Sequence, residues 1–178
     1  MDTPTDYGQN MPTREDVRIW AEREQIAAYL YRPETGATAD AGRPCVVMAH
    51  GFSATRDDGL PAYAEAFQAA GYFVVLFDYR HFGASTGQPR QLLDIGRQHA
   101  DYHTVVDWAR RLEGVDPDRI VVWGSSFSGG HVLAVAAGDP RIAAVISQAP
   151  FTDALPTLRE VPPRTAAALT AAGIRDQI

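Results

Sequence analysis

Four compact apolar runs, Cys45–Ala49, Phe73–Phe77, Ile120–Trp123 and Ala143–Ile146, constrain the fold more than any other feature of the chain. Each is too short for a helix and too continuous for a strand with one wet face. Each therefore reads as a strand buried on both sides, as in a parallel sheet. The segments between them have helical spacing. Leu60–Ala70 carries Pro61 in its first turn, sets Tyr63, Ala66, Phe67 and Ala70 on one face, and stops at Gly71. Leu92–Leu112 repeats apolar residues at Leu92, Ile95, Tyr102, Val105, Val106, Ala109 and Leu112, and Phe127–Ala137 is apolar almost all round, which predicts a buried helix. Strands alternating with helices mean crossover connections and a sheet covered on both faces. The fold class is α/β, with three α/β/α layers and a mostly parallel sheet.

Ahead of the first run, Val17–Trp20 and Ile26–Tyr31 are split by Glu22-Arg23-Glu24 and read as an antiparallel pair, with a loop over Arg32–Pro44. Residues 1–14 read as a loose arm, 15–153 as the core, and 154–178 as the helical start of a lid or linker. At 178 residues the chain is one domain in size. Sixteen basic against twenty-two acidic residues give a net charge of −6, which argues against a nucleic-acid surface. Cys45 is the single cysteine, so no internal disulfide is expected. No basic start followed by an apolar run opens the chain, and no apolar stretch approaches the ~20 residues that span a bilayer. A cytoplasmic protein without membrane contact is the expectation.

The chemistry concentrates where the third run meets its helix, in Trp123-Gly-Ser-Ser-Phe-Ser-Gly-Gly130. A buried strand that breaks into small residues and then a helix is the layout of a nucleophile elbow, in which a strained serine stands above the sheet. Ser126 sits two residues after Gly124, where the elbow needs its nucleophile. Ser128 stands at the position of the second glycine of G-x-S-x-G and is the rival nucleophile. The helix N-terminus below favours negative charge. The first run ends in His50-Gly51-Phe52-Ser53. An oxyanion hole here would combine the backbone N–H groups of Phe127 and Phe52, with Gly51 supplying the tight turn that aims the second. His50 reads as structural. The second run ends in Phe77-Asp78-Tyr79-Arg80-His81-Phe82-Gly83, where Asp78 and Arg80 are expected to brace the loops around the site. His99 and His103, four residues apart, have no third ligand at helical spacing, so no metal is expected.

Taken in order, H-G-F, D-Y-R-H-F-G-A-S and W-G-S-S-F-S-G-G resemble the α/β-hydrolase superfamily, in the branch similar to dienelactone-hydrolase-like and X-Pro-peptidase-like serine hydrolases. The resemblance covers about Val17–Asp153. It implies an α/β-hydrolase fold, a Ser–His–Asp triad, no cofactor, and cleavage of an ester, thioester or amide of a small acyl substrate through an acyl-enzyme. Ser126, Phe52 and Phe127 match their motif positions. The rest of the triad does not carry over. The family order is serine, acid, histidine, whereas the five histidines lie at 50, 81, 99, 103 and 131. Asp153 is the one acid placed plausibly. The expectation is an N-terminal portion that stops before the last strands. It would leave Ala143–Ile146 as an apolar edge that invites a second copy or a missing C-terminal segment. The alternative is a non-catalytic relative that binds a ligand or partner through the same pocket. A nucleotide-binding enzyme fits poorly, because no G-x-G-x-x-G follows the first parallel strand.

Overall fold

The computed structural model describes residues 14–34, 42–153, 156 and 159–176. The arm expected over residues 1–14 lies outside them apart from Arg14, which opens the first strand. The sheet is built from β1 (Arg14–Ala21), β2 (Glu24–Tyr31), β3 (Arg43–Ala49), β4 (Phe73–Phe77), β5 (Val115–Ser125) and β6 (Ile142–Gln148). Helices α1 (Leu60–Ala69), α2 (Ile95–Ala109), α3 (Phe127–Gly138) and α4 (Pro163–Asp176) complete the elements. Strand order is β1-β2-β4-β3-β5-β6. β1 and β2 pair antiparallel with each other, and β2 antiparallel with β4, whereas β4, β3, β5 and β6 run parallel. All four apolar runs thus become parallel strands, with β3 flanked by β4 and β5.

Alternation along the central strands divides the core. Cys45, Val47, Val75, Phe77 and Val122 face α2 and α3 with Tyr102, Val105, Val132 and Val135. Val46, Met48, Val74, Leu76 and Trp123 face the opposite way, toward Leu60 and Ala64 of α1. Both faces are therefore dry, which is why these strands read as unbroken apolar runs. Each such side chain contributes about 1.5–3 kcal/mol on burial. β6 is different: its residues are half-buried or exposed, and Ile146 shows its side chain to solvent. None of the described helices is long and apolar enough to cross a membrane.

Two helix faces depart from the sequence expectation. In α1 the buried residues are Leu60, Ala64 and Gln68, with Phe67 half-buried, while Tyr63 and Ala66 are exposed. Gln68 takes an inward position because its amide donates to Arg32 O at 2.7 Å. Tyr63 instead lies at the rim, with its ring 5.5 Å from that of Trp123. In α3 only one side is buried, and Leu133, Ala134 and Ala137 are exposed. The apolar run Leu92–Leu112 is helical only from Ile95, where Asp94 caps the helix by accepting from Arg97 N at 3.0 Å.

Where α2 meets α3, His131 is clamped between Gln98 Oε1 at 2.7 Å and the His99 ring, whose Nε2 lies 3.1 Å from His131 Nδ1. Burial, and then the neighbouring His99, lower the His131 pKa from 6.5 to about 4. Between those values the unfolded chain binds a proton that the folded chain refuses, so stability falls as pH drops from 6.5 toward 4. A series of thermal melts from pH 7.5 to 4.5 is expected to show a steeper loss of Tm in wild type than in His131→Gln. Equal slopes would place the acid lability elsewhere.

Candidate active site

A single residue, Ser126, separates β5 from α3. It has φ 56° and ψ −116°, and it is exposed. A non-glycine residue held at positive φ costs about 1–3 kcal/mol, so its surroundings must enforce it. Three backbone hydrogen bonds do so. Ser126 N donates to Gln148 O at 2.9 Å, and Ser126 O accepts from Gly130 N at 3.3 Å and Phe151 N at 2.9 Å. The end of β6 and the residues after it therefore press on the elbow from one side. Glycines make that approach possible. A Cβ at Gly124 would stand 2.3 Å from Ser128 O, and one at Gly130 would stand 2.2 Å from Phe151 O. Gly129 is looser, with Gln148 O and Pro150 Cα both 3.1 Å away.

Ser128 has the opposite character to Ser126. It is wholly buried, and its Oγ lies 3.0 Å from Tyr79 Oη and 2.7 Å from Tyr102 Oη. Tyr102 donates to Trp123 O at 2.8 Å. That leaves one arrangement of protons in which every group is satisfied. Tyr79 donates to Ser128, Ser128 to Tyr102, and Tyr102 to the carbonyl. Burial pushes both phenols above their ordinary range, so both stay neutral donors. Sequence reasoning read Tyr102 as core and passed over Tyr79. Their signal was the hydroxyl itself, because a buried tyrosine must find a partner.

The loop after β3 comes to the same place. A Cβ at Gly51 would meet Ser125 O at 3.1 Å and Ser126 Cβ at 3.3 Å. A turn opens at Gly51, with Ala54 N donating to Gly51 O at 3.4 Å, and the left-handed residue within it is Ser53 at φ 55°. The Phe52 ring is 62% exposed and lies edge-on to Phe127 with centroids 5.9 Å apart. His50 is buried, with Nδ1 2.9 Å from Gly51 O. Burial lowers its pKa from the ordinary value, against the opposing effects of Gly51 O and Asp78.

Asp78 is buried and accepts from Arg56 N at 2.8 Å and Ala84 N at 2.9 Å, with Arg56 Nε 3.5 Å away. The Asp78 carboxylate thus joins the loop after β3 to the loop after β4. Gly83, at φ 48°, makes room for it. Arg80 pairs with Asp101, and its Nη1 lies 3.0 Å from Glu22 Oε2.

The structure therefore brings Ser126, Phe127, Gly51 and Phe52 together. It brings no histidine to Ser126 Oγ among the described residues. His81 Nδ1 lies 2.8 Å from Pro89 O, His99 and His131 pair with each other, and His103 lies near Gly138. Asp153 is exposed beyond the end of β6. No group of three or more His, Cys, Asp or Glu is placed to hold a metal among the described residues. A cleft of about 490 Å³ opens beside Phe127, walled by Ile95, His99, His131, Leu133 and Phe151.

The glycine contacts rank substitutions. Gly124→Ala and Gly130→Ala are each expected to cost about 1–3 kcal/mol, Gly129→Ala less. Gly173→Ala, in open space on α4, should stabilise by about 0.5–1 kcal/mol. Urea unfolding of the four variants checks the order.

Residues 24–160 match the X-Pro dipeptidyl-peptidase (S15) family. The quorum-quenching protein AidA of Acinetobacter baumannii is 48% identical over 163 residues, which is 92% of this chain and 52% of AidA. The thiohydrolase aneE of Aspergillus aculeatus is 42% identical over 121 residues, 68% of this chain and 37% of its own length. The crystal structure of the α/β hydrolase GrgF from Penicillium sp. superposes with a TM-score of 0.74 at 31% identity, covering 93% of this chain and 55% of GrgF. The chain thus spans about half the length of AidA and GrgF, and less of aneE. A family match over most of the chain and a six-stranded, mostly parallel sheet agree: the chain belongs to the X-Pro dipeptidyl-peptidase (S15) family of α/β hydrolases.

Proposed function

We propose that this chain carries the nucleophilic half of a serine hydrolase that cleaves an ester, thioester or amide bond of a small acyl substrate. The observation that carries the reading is Ser126. It is exposed, held at φ 56° on the N-terminus of α3, and pressed by the Gly51 backbone. In this reading Ser126 Oγ attacks the acyl carbon, and the carbonyl oxygen gathers negative charge between the N–H groups of Phe52 and Phe127. The bond to the leaving group then breaks, the leaving group takes up a proton, and water releases the acyl group. The apolar cleft beside Phe127 suits the acyl part. The names of the relatives, a quorum-quenching protein and a thiohydrolase, fit a small-molecule substrate.

A serine hydroxyl needs a base. Among the described residues the five histidine rings are engaged or placed elsewhere, and in this reading the base is supplied by a group of the whole protein or of a second copy. The exposed strand β6 suits either. Asp153 as triad acid belongs to the same proposal. A second reading, a binding module using the cleft without catalysis, is favoured by that same lack of a histidine at Ser126.

Fluorophosphonate labelling of the whole protein separates these. Ser126→Ala is expected to abolish labelling and to lower kcat/KM for p-nitrophenyl acetate at least ~10³-fold. Ser128→Ala should keep the label on Ser126 while losing about 1–2 kcal/mol of stability. Labelling that survives Ser126→Ala and disappears in Ser128→Ala would overturn the assignment, and no labelling in a folded whole protein would support the binding module.

A further inference from the structure

We infer that His50 is a positioning residue whose imidazole fixes the Gly51–Phe52 peptide so that the Phe52 N–H faces the oxyanion at Ser126. The inference rests on the hydrolytic reading of Ser126 and deepens it.

Proton direction is settled by chemistry. A carbonyl oxygen can only accept, so His50 Nδ1, 2.9 Å from Gly51 O, carries the hydrogen and donates. Gly51 O also accepts from Ala54 N at 3.4 Å, which closes a turn behind it. The peptide that follows is planar and trans, so its C=O and N–H point to opposite sides. Drawing the Gly51 oxygen toward the buried imidazole therefore turns the Phe52 N–H away from that ring. The elbow lies against this same stretch. Gly51 presses on Ser125 and Ser126, and the Phe52 ring rests on Phe127. One hydrogen bond on the inner side of the loop thus sets the aim of a donor on its outer side.

The imidazole is itself held fast. It is buried, edge-on to Tyr79 with centroids 4.9 Å apart and tilted against Phe82 at 5.7 Å. Nε2 faces Asp78 Oδ1 at 3.9 Å and has no hydrogen-bond partner in the structure. An apolar side chain in this slot would avoid leaving a buried nitrogen bare, at about 1–3 kcal/mol. What it would lack is the donor to Gly51 O. With Nδ1 committed to Gly51 and Nε2 turned to Asp78, neither nitrogen serves Ser126 as a base.

Two substitutions separate positioning from packing. The amide nitrogen of Asn overlays Nδ1, so His50→Asn keeps the donor and discards Nε2, whereas His50→Leu fills space and donates nothing. For p-nitrophenyl ester hydrolysis by the whole protein, His50→Leu is expected to lower kcat about 10- to 100-fold with KM within about twofold. His50→Asn should recover most of kcat without moving the pH profile. Nitrogen-15 NMR gives a readout that needs neither activity nor a folded Leu variant. It should show His50 as the Nδ1–H tautomer in wild type and the Phe52 amide unshifted in His50→Asn. An Nε2–H tautomer, equal losses of kcat in Asn and Leu, or a loss confined to KM would overturn the inference. The expected spectra alongside full activity in Ser126→Ala would overturn the hydrolytic reading and leave the His50–Gly51 bond standing.

Discussion

Three stretches of backbone meet at van der Waals distance around Ser126, and most of the structure exists to permit that meeting. The β5–α3 joint supplies the serine, the chain after β6 grips both ends of its peptide, and the loop after β3 presses from the other side. A side chain where Gly124 or Gly130 stands would force the backbone apart, and one at Gly51 would be tight against Ser125 and Ser126. The strain at Ser126 is local, but its support is not. It needs β3, β5 and β6 side by side in parallel register, with Ala49 opposite Gly124 and Gly124 opposite Ser147. The dry packing on both faces of β3 and β5 provides that rigidity, while β6 adds its hydrogen-bonded pairing to β5. A serine at positive φ is therefore a property of the whole central sheet.

Polar groups then lock the loops that the sheet delivers. Ser128 shows how a departure from a motif is absorbed. A glycine at its position would leave Tyr79 Oη without its acceptor and Tyr102 Oη without a donor, in a site closed to water. With serine, three hydroxyls and one carbonyl form a single satisfied line that ties β4's exit, α2 and the elbow together. Asp78 does the equivalent work across the loops after β3 and β4, with two backbone N–H donors and Arg56. Charge is stabilised there because hydrogen bonds replace the lost water.

Much of this was legible in the residues. Three of the four continuous apolar runs become strands buried on both faces, and Phe73–Phe77 fits its strand without adjustment, whereas the fourth, Ala143–Ile146, is half-buried or exposed at the sheet edge. The inward face of α1 was not legible by counting apolar residues. Gln68 is inside with its amide nitrogen donating to the Arg32 carbonyl, while Tyr63 is outside with its ring against Trp123 at the rim. α3 looked buried all round because leucine and alanine carry no sign of which side lacks a neighbour. Gly51 was marked for its turn, and the structure adds a close approach to Ser125 and Ser126 that the motif did not announce. Contacts between segments distant in sequence decide such questions, and no local period reports them.

The same distinction explains why one part of the candidate site is well defined in this chain and another is not. The proposed oxyanion donors are main-chain groups, and the proposed nucleophile is placed by main-chain strain. Such parts are fixed as soon as the central strands register, so short motifs of glycine and small residues betray them. A base and its acid are side chains at the tips of loops. Their type carries no meaning until a fold carries them within reach, as the five histidines illustrate. Each of the five is an acceptable base by chemistry. Four have their rings hydrogen-bonded to a carbonyl, an amide or another imidazole, and the fifth, His103, lies at the far end of α3 beside Gly138. Geometry removes them one by one. What the described residues set around Ser126 is main chain: its N–H and C=O are hydrogen-bonded by Gln148, Gly130 and Phe151, and the Gly51 loop lies against it.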